Sequence, residues 1–214
     1  MTTFIIVRHG ESEANKMKIF TGVSQYNLSE LGHIQAETTA EFIKNNYKID
    51  AIYSSDLPRA YQTAEHTSNK LNLPITVEEN LREINGGDWD GMKFDKLWEK
   101  YAEEYHKWKN DIGSSRCPNG ESAVEVTKRA KDAFLKIAKN EPDKTVAVFS
   151  HAMLIRCAEA MFKNAPLSEL QNINWVSNAS VTIATYDEKD GFNLVQRDIN
   201  EHLKGMKTEL PKTC

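Results

Sequence analysis

Apolar residues along this chain follow two patterns that alternate: short unbroken runs, and longer stretches with helical spacing. Phe4 to Val7 are four apolar residues in a row and predict a buried strand. LSELGHIQAETTAEFIKNNY, residues 28–47, predicts a helix with Ser29 as N-cap and Leu31, Ile34 and Ile43 on its apolar side. DAIYSS predicts a second strand, followed by a turn at Ser55–Leu57 and a helix from Pro58, where proline suits the first turn. PITVEE reads as a short third strand, residues 120–139 as a helix, and KTVAVFS as a fourth strand running into the helical HAMLIRCAEAMF. Near the end, ASVTIATYD and FNLVQRD flank Glu188-Lys189-Asp190-Gly191 and predict a hairpin. Phe94, Trp98, Tyr101, Tyr105 and Trp108 recur at helical spacing and predict one aromatic helix face, which either packs on the core or walls a pocket at its exposed end.

This alternation predicts an α/β fold: three layers, a mainly parallel sheet with helices on both faces, and an antiparallel edge hairpin. No repeat, low-complexity tract or linker divides the chain, so 1–214 reads as one domain, with a helical lid or specificity segment at about 92–120. A chain of this length buries enough surface to need neither disulfides nor a structural metal. Its net charge of −4 argues against a general binder of nucleic acid or anionic membrane, so any anion site has to be built locally. No apolar run approaches the ~18 residues of a membrane span, and the start MTTFIIVRHG lacks the pattern of a secretory signal. Cys117, Cys157 and Cys214 form no C-x-x-C pair and read as ordinary thiols of a reducing cytoplasm.

In sheets of this kind ligands bind beyond the carboxyl ends of the strands, which makes the polar residues there informative. Arg8, His9 and Gly10 follow the first strand, Arg59 opens the helix after the second, and His151 follows the fourth. Three strand ends thus deliver cationic or potentially cationic groups to one rim. Guanidinium forks match phosphate oxygens, and helix starts near Pro58 and Ala152 add backbone N–H groups. A neutral imidazole is a competent nucleophile, and phosphoryl transfer asks for little beyond positioning and charge neutralisation. A departing alkoxide then needs a proton, which a carboxylic acid at the mouth can give. Spacing alone leaves Glu83, Glu11 and Asp88 open for that role.

VRHGES with Asn15, SSDLPRAYQTA, LREINGGDWDG and FSHAMLIR, in this order over Ile5 to Arg156, resemble the four signatures of the histidine phosphatase superfamily, in the branch that includes cofactor-dependent phosphoglycerate mutases. The resemblance implies a phosphoglycerate mutase-like fold with His9 as the nucleophile that becomes phosphorylated. Arg8, Arg59 and His151 would bind the phosphoryl group, helped by Asn15, with Glu83 as general acid and then base. Thr21 and Gly22 match positions lining the substrate mouth. Ala152 stands where the family usually has glycine; its N–H can still donate, but a glycine-only backbone conformation is closed to it. Gly10 would let the chain turn closely under the anion. Glu11 either orients His9 through its second ring nitrogen or is a solvated loop acid. Arg82 either contacts substrate or pairs with a nearby acid, and pairing is the favoured reading.

Mutases of this branch carry a tyrosine three residues after the acid, where this chain has Gly86, and a paired Arg-Arg in the following insertion. Between Asp90 and Glu121 this chain has Arg116 alone. The expectation is therefore a phosphomonoesterase with no metal and no cofactor. Its substrate would be a small phosphorylated metabolite such as a sugar phosphate, nucleotide or ribazole-like phosphate. Mutase-type transfer and a non-catalytic phospho-ligand binder are the alternatives. Oligomeric state is not encoded in any of these motifs.

Overall fold

A computed structural model describes residues 1–206 and 208. Six strands are present: β1 (Thr2–Arg8), β2 (Ala51–Ser54), β3 (Ile75–Val77), β4 (Thr145–Ser150), β5 (Val181–Asp187) and β6 (Gly191–Ile199). The helices are α1 (Glu13–Lys16), α2 (Glu30–Asn46), α3 (Pro58–Leu71), α4 (Phe94–Lys100), α5 (Ala102–Asn110), α6 (Ala123–Asn140) and α7 (Ala152–Phe162). Every apolar run of the sequence became a strand, and they form one sheet in the order β3-β2-β4-β1-β5-β6. β1, β2, β3 and β4 are mutually parallel, while β5 runs antiparallel to β1 and to its hairpin partner β6.

Side chains alternate across the strands, which fixes two core layers. Phe4, Ile6, Val146 and Val148 pack with Ala130, Phe134 and Leu154 of α6 and α7. Ile5, Val7, Ala147 and Phe149 pack with Ile43 of α2 and Ala64 of α3. The mainly parallel three-layer sheet is therefore the observed fold. Cys117 and Cys157 are buried free thiols; Cys214 lies outside the described residues. Among the described residues, no helix is long and apolar enough to cross a membrane.

Two expectations need correction. α2 starts at its predicted cap, where Ser29 Oγ accepts from the Gly32 N–H at 3.0 Å, but its inward face is not the expected one. Gly32, Gln35, Ala36, Thr39, Ala40 and Ile43 are buried, whereas Ile34 is 50% exposed. Small residues win that face because the helix start lies against the loop after β1: a Cβ on Gly32 would come within 1.9 Å of Glu11 O. The aromatic stripe, in turn, is not one helix. The chain breaks at Tyr101 (φ −130°, ψ 47°) into α4 and α5.

Candidate active site

Strand register builds the site. Arg8 lies level with Ser150, and Ser54 with Phe149, so His9, Ser55 and His151 leave the sheet side by side at its carboxyl edge. The His9 N–H donates to Ser150 O and the Ser55 N–H to Phe149 O, both at 3.0 Å, which extends the sheet's ladder one step into the site. One cavity opens there. Arg8, His9, Asn15, Thr21, Arg59, Glu83 and Ala152 line it, bringing together residues separated by as much as about two thirds of the chain.

His9 is 3% exposed, and both ring nitrogens are engaged. Nδ1 is 2.7 Å from Gly10 O, its own neighbour's carbonyl, and Nε2 is 3.3 Å from the Nε of Arg59. A carbonyl only accepts and a guanidinium only donates. The neutral ring consistent with both is the Nδ1–H tautomer, with its lone pair on Nε2. Burial first, then the charges of Arg59 and Arg8, hold the imidazole well below the ordinary histidine range, so it is neutral near pH 7.

Arg59 is 1% exposed. Its Nη1 and Nη2 donate to Ser24 O at 3.0 Å and Gly22 O at 2.7 Å. Asp90 orders those carbonyls by accepting from the N–H groups of Gly22, Val23 and Ser24 at 3.0, 2.8 and 3.1 Å. Among the described residues no carboxylate lies within ion-pair distance of Arg59. Burial pushes its guanidinium down to about 10, still cationic at neutral pH. Such a buried cation, anchored on neutral carbonyls, is set up to receive an anion.

Gly22 therefore stands apart from Thr21: it is outside the cavity lining, and its carbonyl holds Arg59. A Cβ there would meet Ile84 O at 2.4 Å. Gly10 also differs from expectation, since its tight approach is to Gly32 O of α2, 2.5 Å from where a Cβ would sit. His151 is fully buried and outside the lining. Its ring centroid is 5.2 Å from that of His9, and its Nε2 is 2.9 Å from Ser55 Oγ. Burial, Arg59 and His9 together hold it well below the ordinary histidine range. Ala152 begins α7 with helical backbone and no positive φ, so the alanine costs this site no special conformation.

Of the three carboxylates left open by spacing, only Glu83 lines the cavity. It accepts from the Met153 N–H, in the first turn of α7, at 3.2 Å to each oxygen, and from the Ile84 N–H at 2.9 Å. Glu11 neither orients His9 nor lies in solvent: it is 8% exposed and accepts from Ser29 Oγ at 2.7 Å. Asp88 accepts from Asn119 at 3.0 Å. Arg82 donates to Asp56 at 2.6 Å, the acid pairing expected of it.

Most of the remaining lining is apolar: Ile19, Phe20, Ile84, Phe94, Met153, Trp108 and Trp175. Only the two ends of the aromatic stripe, Phe94 and Trp108, reach it. Tyr105 packs against Trp89 at 5.7 Å, and Trp98 is 51% exposed. Sequence reasoning missed Ser55, Asp90, Trp175 and Asn178. Ser55 and Asp90 lie inside quoted motifs, but nothing in their spacing says what they hold; Trp175 and Asn178 lie in no motif.

Comparison with known proteins agrees with this geometry. Phosphoserine phosphatase 1 of Hydrogenobacter thermophilus is 32% identical over 189 residues, covering 88% of this chain and 89% of that protein. Bacillus stearothermophilus YhfR superposes with a TM-score of 0.90 at 28% identity, over 95% of this chain and 100% of that one. Mycobacterial glucosyl-3-phosphoglycerate phosphatase, solved with VO3, superposes with a TM-score of 0.85 at 27% identity, over 92% of this chain and 98% of that one. The family model describing branch 1 of the histidine phosphatases matches residues 4–199, nearly the whole chain, and with strand ends, cations and histidines arranged as above, this protein belongs to the histidine phosphatase superfamily.

Proposed function

We propose that this protein hydrolyses phosphomonoesters of small metabolites through a phosphohistidine on His9, without a metal ion. The observation that carries this reading is the state of His9: a neutral ring whose Nε2 lone pair lies beside a buried guanidinium at the cavity wall. That nitrogen attacks phosphorus, a P–N bond forms, and the P–O bond to the alcohol breaks. Glu83, as the acid, protonates the leaving alkoxide, then as carboxylate takes a proton from the water that attacks the phosphohistidine. Inorganic phosphate leaves and both residues return to their starting states. Arg8, Arg59, Asn15 and the Ala152 N–H at the start of α7 meet the charge on the transferring oxygens, with His151 packed behind His9. Nε2 already faces a cation at 3.3 Å, a position that a metal ion would contest.

The charge count favours hydrolysis over mutase transfer. Among the described residues lining the cavity, Arg8 and Arg59 are the only cations, a set that suits one phosphoryl group better than two. The apolar wall of Phe20, Phe94, Trp108 and Trp175 fits a substrate whose body is a ring: a sugar phosphate, nucleotide or ribazole-like phosphate. The phosphatases to which the chain is similar are named for phosphoserine and glucosyl-3-phosphoglycerate, so the test panel spans both sets. The decisive measurement runs that panel on wild type and His9→Ala, with trapping of the acid-labile phosphoenzyme. Wild type should turn over with EDTA present and yield a phosphohistidine; His9→Ala should lose activity by at least about a thousandfold. Full activity in His9→Ala overturns the mechanism, and binding without turnover of any ester would make the protein a phospho-ligand binder.

A further inference from the structure

Asn178 belongs to no motif, yet its side chain meets three parts of the site. It is 4% exposed, in the loop that enters β5. Its Nδ2 lies 3.0 Å from His9 O, 3.2 Å from Gly10 O and 3.3 Å from Asn15 Oδ1. Two of these are main-chain carbonyls, which only accept, so the amide nitrogen and not its oxygen must face them. Its Oδ1 is buried without a partner among the described residues. Keeping that end unsatisfied is unfavourable, and the nitrogen's contacts are what offset it.

Gly10 O is the key acceptor, because it also takes the Nδ1–H of His9. The same loop splints the nucleophile's backbone. Ala179, at φ +56°, donates its N–H to Arg8 O and His9 O at 3.1 Å each, and Val176 O accepts from Arg8 Nη1. Asn15, which the resemblance assigns to phosphate, has its Oδ1 taken by the Ser12 N–H at 3.1 Å and by Asn178, leaving Nδ2 as the end that can donate.

We infer that Asn178 is a positioning residue for the nucleophile: by fixing Gly10 O it holds His9 as the Nδ1–H tautomer with the lone pair on Nε2, and it orients the Asn15 amide with the same nitrogen. The role rests on the phosphohistidine reading above. As Nε2 bonds to phosphorus the ring becomes cationic, and its Nδ1–H leans harder on Gly10 O. A carbonyl already held in place meets that charge without reorganising. Outer hydrogen-bond partners that orient a histidine elsewhere are worth about 10- to 100-fold in activity, and that is the size expected here.

The test combines 15N-histidine NMR with single-turnover kinetics on wild type, Asn178→Ala and the near-isosteric Asn178→Asp, which exchanges both N–H donors for oxygen. Wild-type His9 should show one tautomer, protonated on Nδ1. Both variants should show mixed tautomers and phosphoenzyme formation slowed about 10- to 100-fold, with KM changed less than about twofold. A purely architectural role would lower the melting temperature and leave tautomer and rate per active site untouched. Averaged tautomers in wild-type His9, or wild-type phosphorylation rates in either variant, overturn the inference. Absence of phosphohistidine in the wild type would instead sink the mechanism beneath it, and the wild-type tautomer is read independently of that result.

Discussion

Glu83 and Gly22 show how differently a single residue can matter at this site. Glu83 lines the cavity directly, and as the proposed acid its contribution would depend on how badly the leaving group needs a proton. Glu83→Gln should slow hydrolysis of an alkyl phosphate about 100- to 10,000-fold but barely affect an ester with a very acidic leaving alcohol such as dinitrophenol. Equal losses on both would show that the carboxylate is not the acid. Gly22 acts one step removed, through the carbonyl that anchors Arg59. In Gly22→Ala the new methyl has no room beside Ile84 O and Gly86 N, and the 22–24 loop must shift. The expected result is a loss of about 1–3 kcal/mol in stability with a larger relative loss in kcat/KM, read from urea melts and steady-state kinetics. Asp90→Asn, which weakens the same loop without the clash, should move kinetics in the same direction.

The elements divide into those whose sequence is self-explanatory and those set by their neighbours. The sheet was readable from its apolar runs, and α3, α6 and α7 from their helical patterns, with Pro58 marking the first turn of α3. The buried face of α2 was not, because Gly32, Ala36 and Ala40 contribute closeness rather than hydrophobic weight, and Ile34 misled by its chemistry alone. The break between α4 and α5 was not readable either: Tyr101 is no helix breaker, and the chain turns there where the packing of Trp89 on Tyr101 and Tyr105 sets its course. That break decides which aromatics line the cavity. Trp108→Ala should raise KM about tenfold for ring-bearing esters and destabilise the fold by about 3–5 kcal/mol. Trp98→Ala, at an exposed position, should leave both unchanged. A substrate panel with thermal melts separates the two, and equal small effects on every ester would leave Trp108 a packing residue only.

At the scale of the whole molecule, two histidines buried in neutral form tie stability to pH. His9 and His151 are held below their unfolded value of about 6.5, so below that pH the unfolded chain binds more protons than the native one. Their contribution is fully present above about pH 6.5 and is lost as pH falls, by up to about 1.4 kcal/mol per pH unit for each. Urea melts from pH 8 to pH 5 should show this decline, and His9→Ala should flatten it; identical slopes would refute the linkage. The arginines and histidines of the site were legible because Arg8 ends a strand, His9 and His151 directly follow one, and Arg59 lies in the first turn of a helix. Glu83 needed the family resemblance, and Asn178 was invisible, since nothing in a sequence pairs residue 178 with the carbonyl of residue 10.

The position of β1 between β4 and β5 carries a consequence for how this protein comes to life. His9 is made before either strand that flanks β1, and the residues of those strands pair with β1 across separations of more than 140. Closing such long loops is slow and has to precede any reward from the pairing. The nascent chain therefore carries His9 long before it has a pocket. Competence should arrive in one late step, when the C-terminal hairpin seats against β1.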